Sequence, residues 1–432
     1  MVAKPMSDVW IINADVPDEL RPDEVPLNGR LAIQIVNGEI VAVVETENAP
    51  SGLENAIDAD GGIVMSGLVD CHTHLDKAHL SSFFGFQDGM LLDAIKAMED
   101  SKTYWTDADL VTRVRFGLDR AAIHGVRALR SHVDFTPTTP SFVAPTMRAL
   151  REEAQDRGII VQLAPLIPLE QVDDEAWLDG VAHEAKGTGG VIGFFVFKHN
   201  FDPERLARAF DAAHRHDLML DFHVDEGLDP ELRGLDAIAT LALERKPSRS
   251  VLCGHNISLS LLPPDELTAV LDRVARARIS LVMLPHSNLY LQDRNPNRTP
   301  RHRGLMPILE AERRGVNAAI GTDNVRDAFY PYGDHDPLEA LALAATAAHL
   351  PRPLSSFINS ITRFPAYAME LPWDGFIRPG APAELVVFGG WSIDTVIATL
   401  GRPRRVIHRD GRCVDWTTPD HRKLKDTFLA AR

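Results

Sequence analysis

Short apolar runs recur through the middle of the chain, and most gaps between them carry helical periodicity. The runs are Ile63–Val69, Val126–Asp134, Ile159–Ile167, Val191–Phe197, Leu218–Val224, Val251–Gly254, Ile279–Leu284 and Val316–Gly321. They are nearly continuous rather than alternating, as in strands buried on both faces. Pro203–His216, Pro264–Arg278 and Met306–Arg314 instead place apolar residues at helical spacing, with charges on the opposite face. Eight strand–helix units in succession predict an α/β fold, a (β/α)8 TIM-type barrel. An open doubly wound sheet would need a Gly-rich turn after an early strand, and none is present.

The two ends of the chain read differently. Val9–Ala14 and Leu31–Val36 are strand-like, and Asn37-Gly38 marks a hairpin with a return strand over Glu39–Val44. Near the other end, Ala383–Phe388 is a strand, Gly389-Gly390 a break, and Arg405–His408 with Asp410-Gly411 a second hairpin. Strand-rich ends around a different middle predict a small β-sandwich domain built from residues 1–62 and 378–432, with the barrel over 63–377. The basic stretch Arg294–Arg303 after the seventh strand reads as a solvated loop.

Composition narrows the class. The 432 residues are 45% hydrophobic and 25% charged, which is ordinary for a globular protein. No apolar run approaches the ~20 residues that span a bilayer, so no membrane partner is expected. Met1-Val2-Ala3-Lys4-Pro5 lacks the apolar core of a signal peptide. A net charge of -16 argues against nucleic acid as a partner. Cys71, Cys253 and Cys413 are isolated, which fits a reducing, cytoplasmic compartment and excludes a Cys-x-x-Cys metal site. We expect a homo-oligomer acting on a small molecule.

In a barrel of this kind chemistry sits at the C-terminal strand ends. Those ends carry His72 and His74; His132 and Asp134; His223, Asp225 and Glu226; His255; and Asp323 with Asn324. Residues i and i+2 of a strand share a face, so His72 and His74 leave the first strand side by side. With His223 and Asp323 they make three imidazoles and a carboxylate, a donor set for one divalent ion per chain: zinc or iron, or else manganese. Glu226, three residues past His223, can reach in as a proton shuttle. His255 can stabilise developing charge. Lys77 either contacts substrate or pairs with Asp76 or Asp327.

The set as a whole resembles the amidohydrolase superfamily, and within it the cytosine deaminase-like enzymes. His223-x-Asp225-Glu226 is similar to their His-x-Asp-Glu, and Asn288-Leu289-Tyr290-Leu291-Gln292-x-Arg294 to their Asn-x-x-Leu-Gln-x-Arg. Asp323-Asn324-Val325-x-Asp327 with Tyr330-Pro331-x-Gly333 is similar to their Asp-Asp-x-x-Asp followed by Tyr-Pro-x-Gly. His72-Thr73-His74-Leu75-Asp76-Lys77 also looks like the N-alkylammelide amidohydrolases, which lack the Glu after the fifth-strand His; Glu226 favours the deaminases. The resemblance implies a mononuclear metal-dependent aminohydrolase, acting on C–N bonds other than peptide bonds in a small nitrogen heterocycle. The alternatives are hydrolysis of a cyclic amide or an N-alkylamino-triazine, and a non-catalytic barrel scaffold; the filled ligand positions argue against the scaffold.

Two departures bear on the substrate. The cytosine-type pattern places a Gln after the third strand, where this chain has Ala164-Pro165-Leu166-Ile167-Pro168. Asn324 replaces the second Asp after the eighth strand, giving an amide that both donates and accepts. We therefore expect Leu166, Asn324, Lys77 and His132 to contact substrate, with Leu166 facing an apolar ring edge. Some superfamily members bridge two metals through a carboxylated Lys after the fourth strand; Lys198 falls in that region and reads as a solvated strand-end residue.

Overall fold

The computed structural model describes residues 8–22, 28–53, 56–86, 89–408 and 411–415. Eight parallel strands form one sheet in sequence order: Leu68–Thr73, Val126–Asp134, Ile160–Pro168, Val191–Val196, Met219–Val224, Val251–His255, Ser280–Met283 and Ala318–Ile320. We number them one to eight. Nearly every residue in them is buried, which is why the runs are continuous rather than alternating. The sheet closes through a parallel bridge between Thr73 and Asp323, where the Asp323 N–H donates to the His72 carbonyl at 2.8 Å. Asp70 ties the same seam, accepting from the Thr322 backbone N–H and hydroxyl. The (β/α)8 barrel is therefore present, and its seam delivers His72 and Asp323 to one point.

The helices form where periodicity and capping agree. Pro203–His216 starts at Asp202, whose carboxylate accepts from the Glu204 and Arg205 N–H groups at 2.8 and 3.0 Å, with Pro203 in the first turn. Pro264–Arg276 stops two residues short of the expected end, because Arg278 takes a left-handed φ of 55°. The third expected helix covers Ile308–Arg313.

The expected first strand, Ile63–Val69, is two strands. Val64–Ser66 pairs antiparallel with Leu385–Phe388, and only Leu68–Thr73 enters the barrel. Gly67 makes the switch: a Cβ there would lie 2.3 Å from the Arg127 Cγ, and its N–H donates to the Glu384 carbonyl. The terminal segments form two further four-stranded sheets. One orders Glu39–Glu45, Leu31–Val36, Val9–Ala14 and Ala56–Asp58; the other orders Cys413–Asp415, Arg404–Ile407, Leu385–Phe388 and Val64–Ser66. The Asn37-Gly38 hairpin is formed, with both residues at positive φ. Of the second expected hairpin turn, Asp410 lies outside the described residues, as does Met1–Pro5. One apolar core runs from Ile11, Ile33 and Val386 into the barrel at Leu68 and Val126. Asn295–Arg303 is solvent-exposed, Cys71 and Cys253 are buried free thiols, and Cys413 is an exposed one. No helix among the described residues is long and apolar enough to cross a membrane.

Candidate active site

Strands one, five and eight bring His72, His74, His223 and Asp323 together. His72 Nε2 lies 3.5 Å and His74 Nε2 3.2 Å from Asp323 Oδ1, and His223 Nε2 lies 3.2 Å from His74 Nε2. A tetrahedral shell with bonds of roughly 2.0–2.2 Å has donors roughly 3.3–3.6 Å apart, so these spacings suit a small cation. The charges suit it as well. Burial, reinforced by Lys77, holds the His74 imidazole well below its usual range, and burial with the neighbouring imidazoles does the same for His223. Both rings are neutral, lone-pair donors. Burial pushes Asp323 up, but His72 and His74 outweigh it and its carboxyl stays well below the usual range. Both ring nitrogens of His72, Nδ1 of His74 and His223, and Asp323 Oδ1 are buried without hydrogen-bond partners. So many unpaired polar atoms at one point are unfavourable without a cation to share their lone pairs. The residues present fit a divalent metal.

Local backbone aims these groups. Asp323, His255 and Asp225 all take left-handed φ values of 58°, 72° and 55°, an unusual conformation for non-glycine residues. Asp225 turns away from the site: its carboxylate accepts from the Gly234 and Leu235 N–H groups at 2.8 and 3.0 Å, capping the helix Gly234–Arg245. That turn leaves Glu226 in the wall of the barrel mouth. Burial and the Asp323 charge push the Glu226 carboxyl well above its usual value, so it holds its proton more tightly than an ordinary glutamate. His255 Nδ1 lies 3.4 Å from Glu226 Oε1 and 3.0 Å from the Asn288 amide nitrogen. Donation from Asn288 to Nδ1 places the ring proton on Nε2, which is buried and unpaired. Burial lowers the His255 pKa to about 3, so the ring is a neutral N–H donor. Gly254 leaves room for this arrangement, since a Cβ there would stand 2.9 Å from His72 Cε1.

A cavity of about 370 Å³ opens above the cluster. His74, His223, Glu226 and His255 form its floor side, and Leu166, Phe195, Phe329 and the helix Leu91–Ser101 (through Leu91, Ile95 and Met98) form apolar walls. Leu166, Asn324 and Lys77 line it as expected. Lys77 is buried, 2.5 Å from Asp134 Oδ1; burial opposes its charge, but Asp134 and Asp76 outweigh that and raise its pKa. Asn324 donates one amide N–H to Asp327 at 2.6 Å, so only the rest of its amide meets the cavity.

His132 departs from expectation, because it is fully buried and absent from the cavity wall. Its Nε2 lies 3.0 Å from Asp221 Oδ1, and its ring packs 4.2 Å from that of His72. Lys198 stands at the rim, 55% exposed, paired with Asp229 and Glu231.

Several neighbours were not foreseen. Asp221 joins His132 to Arg130, whose Nη1 lies 2.7 Å from Asp221 Oδ2; being two residues before His223 on one strand, it shares that residue's face, a signal open to period-two reading. Ser287 donates to Asp323 Oδ2 and had no sequence signal. Glu99 lines the cavity beside Asp134 of the strand-two end and Glu170, and neither it nor the helix Leu91–Ser101 between strands one and two was singled out.

A parallel barrel with imidazoles and a carboxylate converging at its C-terminal strand ends is the architecture of a metal-dependent hydrolase. The chain belongs to the amidohydrolase family, whose model matches residues 168–407, and is a hydrolytic enzyme acting on C–N bonds. The pterin deaminase of Rhizobium rhizogenes is 35% identical over 404 residues, covering 92% of this chain and 91% of that one. The structure of 5-methylcytosine deaminase from Klebsiella pneumoniae with 5-fluorocytosine superposes with a TM-score of 0.83 at 22% identity, covering 95% of this chain and 98% of that one. N-isopropylammelide isopropylaminohydrolase from Burkholderia multivorans gives 0.76 at 22% identity, covering 95% and 98%. These two structures bear on the fold.

Proposed function

We propose that the protein is a hydrolytic deaminase of a small nitrogen heterocycle, with one divalent ion per chain held by His72, His74, His223 and Asp323. The observation that carries this reading is the place of Glu226 in the cavity wall beside the converging imidazoles and carboxylate, its carboxyl raised by burial and by the Asp323 charge. The nitrogen-rich donor set favours zinc or iron over manganese. When bound, such an ion lowers the pKa of a water from 15.7 towards about 7. Glu226 gives its proton to the ring nitrogen beside the attacked carbon and recovers one from the new hydroxyl as the carbonyl forms, while the proton that Asp323 takes from the water passes to the leaving amine to give ammonia. Asp323 takes a proton from the attacking water, and His255 Nε2–H donates to the developing negative charge. The sum is water plus the amino-bearing carbon giving a ring carbonyl, a ring N–H and ammonia. The free thiols Cys71 and Cys253 fit the cytoplasm.

We further propose a pterin-type bicyclic substrate. Support comes from the Rhizobium relative's name and from the cavity, whose volume is in the range of small-molecule sites and whose strand-three wall is Leu166 rather than an amide. A pyrimidine edge expecting an amide donor at Leu166 would leave its acceptor there unpaired, at about 1–3 kcal/mol. Ammonia release by metal-replete protein tests this. Pterin should exceed cytosine in kcat/KM by about 10-fold or more; cytosine as the better substrate would refute the pocket reading.

A further inference from the structure

Four carboxyl side chains line the active-site cavity: Glu99, Asp134, Glu170 and Glu226. Three of them are neutralised. Glu99 pairs with Lys102, Asp134 with Lys77 and with Lys102 at 3.1 Å, and the Glu226 carboxyl is raised towards its acid form. Lys77, the one lysine in the wall, is thereby engaged by Asp134. Glu170 differs. It is half-buried on the turn Leu169–Asp173 that follows strand three, and no Lys, Arg or His stands within ion-pair distance of it among the described residues; Arg205, paired with Asp173, feels its charge from farther off.

Glu170 is also held in place. Its Oε2 accepts from the Asn200 amide at 2.9 Å. Asn200 is only 2% exposed, donates as well to the Phe195 carbonyl at 3.0 Å, and accepts the Phe197 N–H at 2.8 Å. The amide is thus locked by strand four, and it fixes one Glu170 oxygen while leaving the other without a hydrogen-bond partner among the described residues, in a wall shared with Leu166, Pro168, Phe195 and His199. An ionised carboxylate accepts only, so it selects donors and repels anions.

We propose that Glu170 determines substrate choice: its free oxygen accepts a hydrogen bond from a neutral N–H or O–H on the substrate edge facing strands three and four, and its charge excludes substrates with an anionic group there. The proposal deepens the deaminase reading and rests on it. A device of this kind supplies specificity by repulsion as well as attraction. The donor is either a ring N–H or a hydroxyl on a ring substituent.

The test compares pterin, 6-hydroxymethylpterin and 6-carboxypterin with metal-loaded wild type, Glu170→Gln and Glu170→Ala. Turnover is read as ammonia, and binding separately by quenching of the ligands' own fluorescence. Wild type should favour the neutral ligands over the carboxylate by about 10–100-fold, the scale of one charge-assisted hydrogen bond. In Glu170→Gln, at unchanged metal content, that ratio should fall by about 10-fold or more. A loss for pterin itself identifies a ring N–H as the donor, and a loss confined to the hydroxymethyl derivative identifies the hydroxyl. A ratio unchanged within about twofold in both variants overturns the proposal while leaving the deaminase reading intact. Glu170-dependent binding without ammonia release overturns the deaminase reading alone, and neither binding nor release overturns both.

Discussion

Replacing Glu226 by Gln probes the proposed proton path directly. Gln keeps the shape and removes the titrating proton. The side chain sits in a buried wall, 3.4 Å from His255 Nδ1, and its backbone carbonyl faces the Gln292 amide at 3.5 Å. Gln fills the same volume and keeps an oxygen for the His255 contact, so the protein should still fold, at a cost within the usual range of about 0.5–3 kcal/mol for a single substitution. The rate cost is larger: general acid–base catalysis contributes about 10²–10⁴-fold, or roughly 2.7–5.4 kcal/mol of barrier. Metal content should be unchanged, since Glu226 is outside the converging donors. The pH profile adds a signature. A carboxyl raised by burial and by Asp323 keeps its proton to higher pH than an ordinary glutamate, so wild-type kcat/KM falls as pH rises through that raised value, and Glu226→Gln lacks the limb. Stability runs the same way. A raised pKa contributes stability below the unfolded carboxyl value that is lost as pH rises through the folded value, so the variant should melt above wild type in the alkaline range. Kinetics within a factor of a few of wild type would refute the proton path, and loss of metal would make Glu226 a ligand.

Two further predictions concern the metal. His72→Ala should reduce bound divalent ion from about one per chain to near zero and abolish turnover; added zinc should raise the melting temperature of wild type but not of the variant, since only a ligand that binds the native state stabilises it. Retained stoichiometric metal in His72→Ala would refute the donor set. Gly254→Ala should lower metal affinity by about 10–100-fold, because the new Cβ at 2.9 Å from His72 Cε1 forces the imidazole aside; an unchanged affinity by competition titration would show that His72 is not held by that contact.

Much of this was legible because buried parallel strands must be continuously apolar, and each ends where the chain first meets the barrel mouth. His72, His74, His223 and Asp323 therefore announced themselves as polar residues directly after such runs. What local pattern hid was long-range. Val64–Ser66 is apolar for the same reason as Leu68–Val69, but its partner is Leu385–Phe388, more than 300 residues away, and composition does not distinguish the two sheets. His132 looked like a pocket residue because it also follows an apolar run. Its ring instead turns inward to Asp221, an assignment that depended on reading Asp221 and His223 as one face. Asp225, between His223 and Glu226 in the same motif, is a helix cap. Ser287 carried no pattern because its role exists only once strand eight brings Asp323 beside it.

The carboxyl groups around the cavity show how one residue type is sorted into opposite roles by its surroundings. Asp134, Asp221, Asp323, Asp327 and Glu226 are all buried, and burial alone would raise each of them. Asp134 and Asp221 are nevertheless held well below the usual carboxylate range, because Lys77 and Lys102 face the first and His132 and Arg130 the second. Asp323 joins them through its imidazoles. Asp327 goes the other way: burial raises it to about 7, and the N–H groups of Asn324, Phe329 and Tyr330 only partly compensate. Glu226 goes further in that direction because its strongest charged neighbour is Asp323, a like charge. Neutralising Asp323 would therefore remove a cause of the Glu226 shift as well as a metal donor. The two residues are one electrostatic unit, in which the carboxylate proposed to hold the cation and take a proton also raises its partner's pKa, and separated pKa values of this kind are what assign base and acid at a single pH.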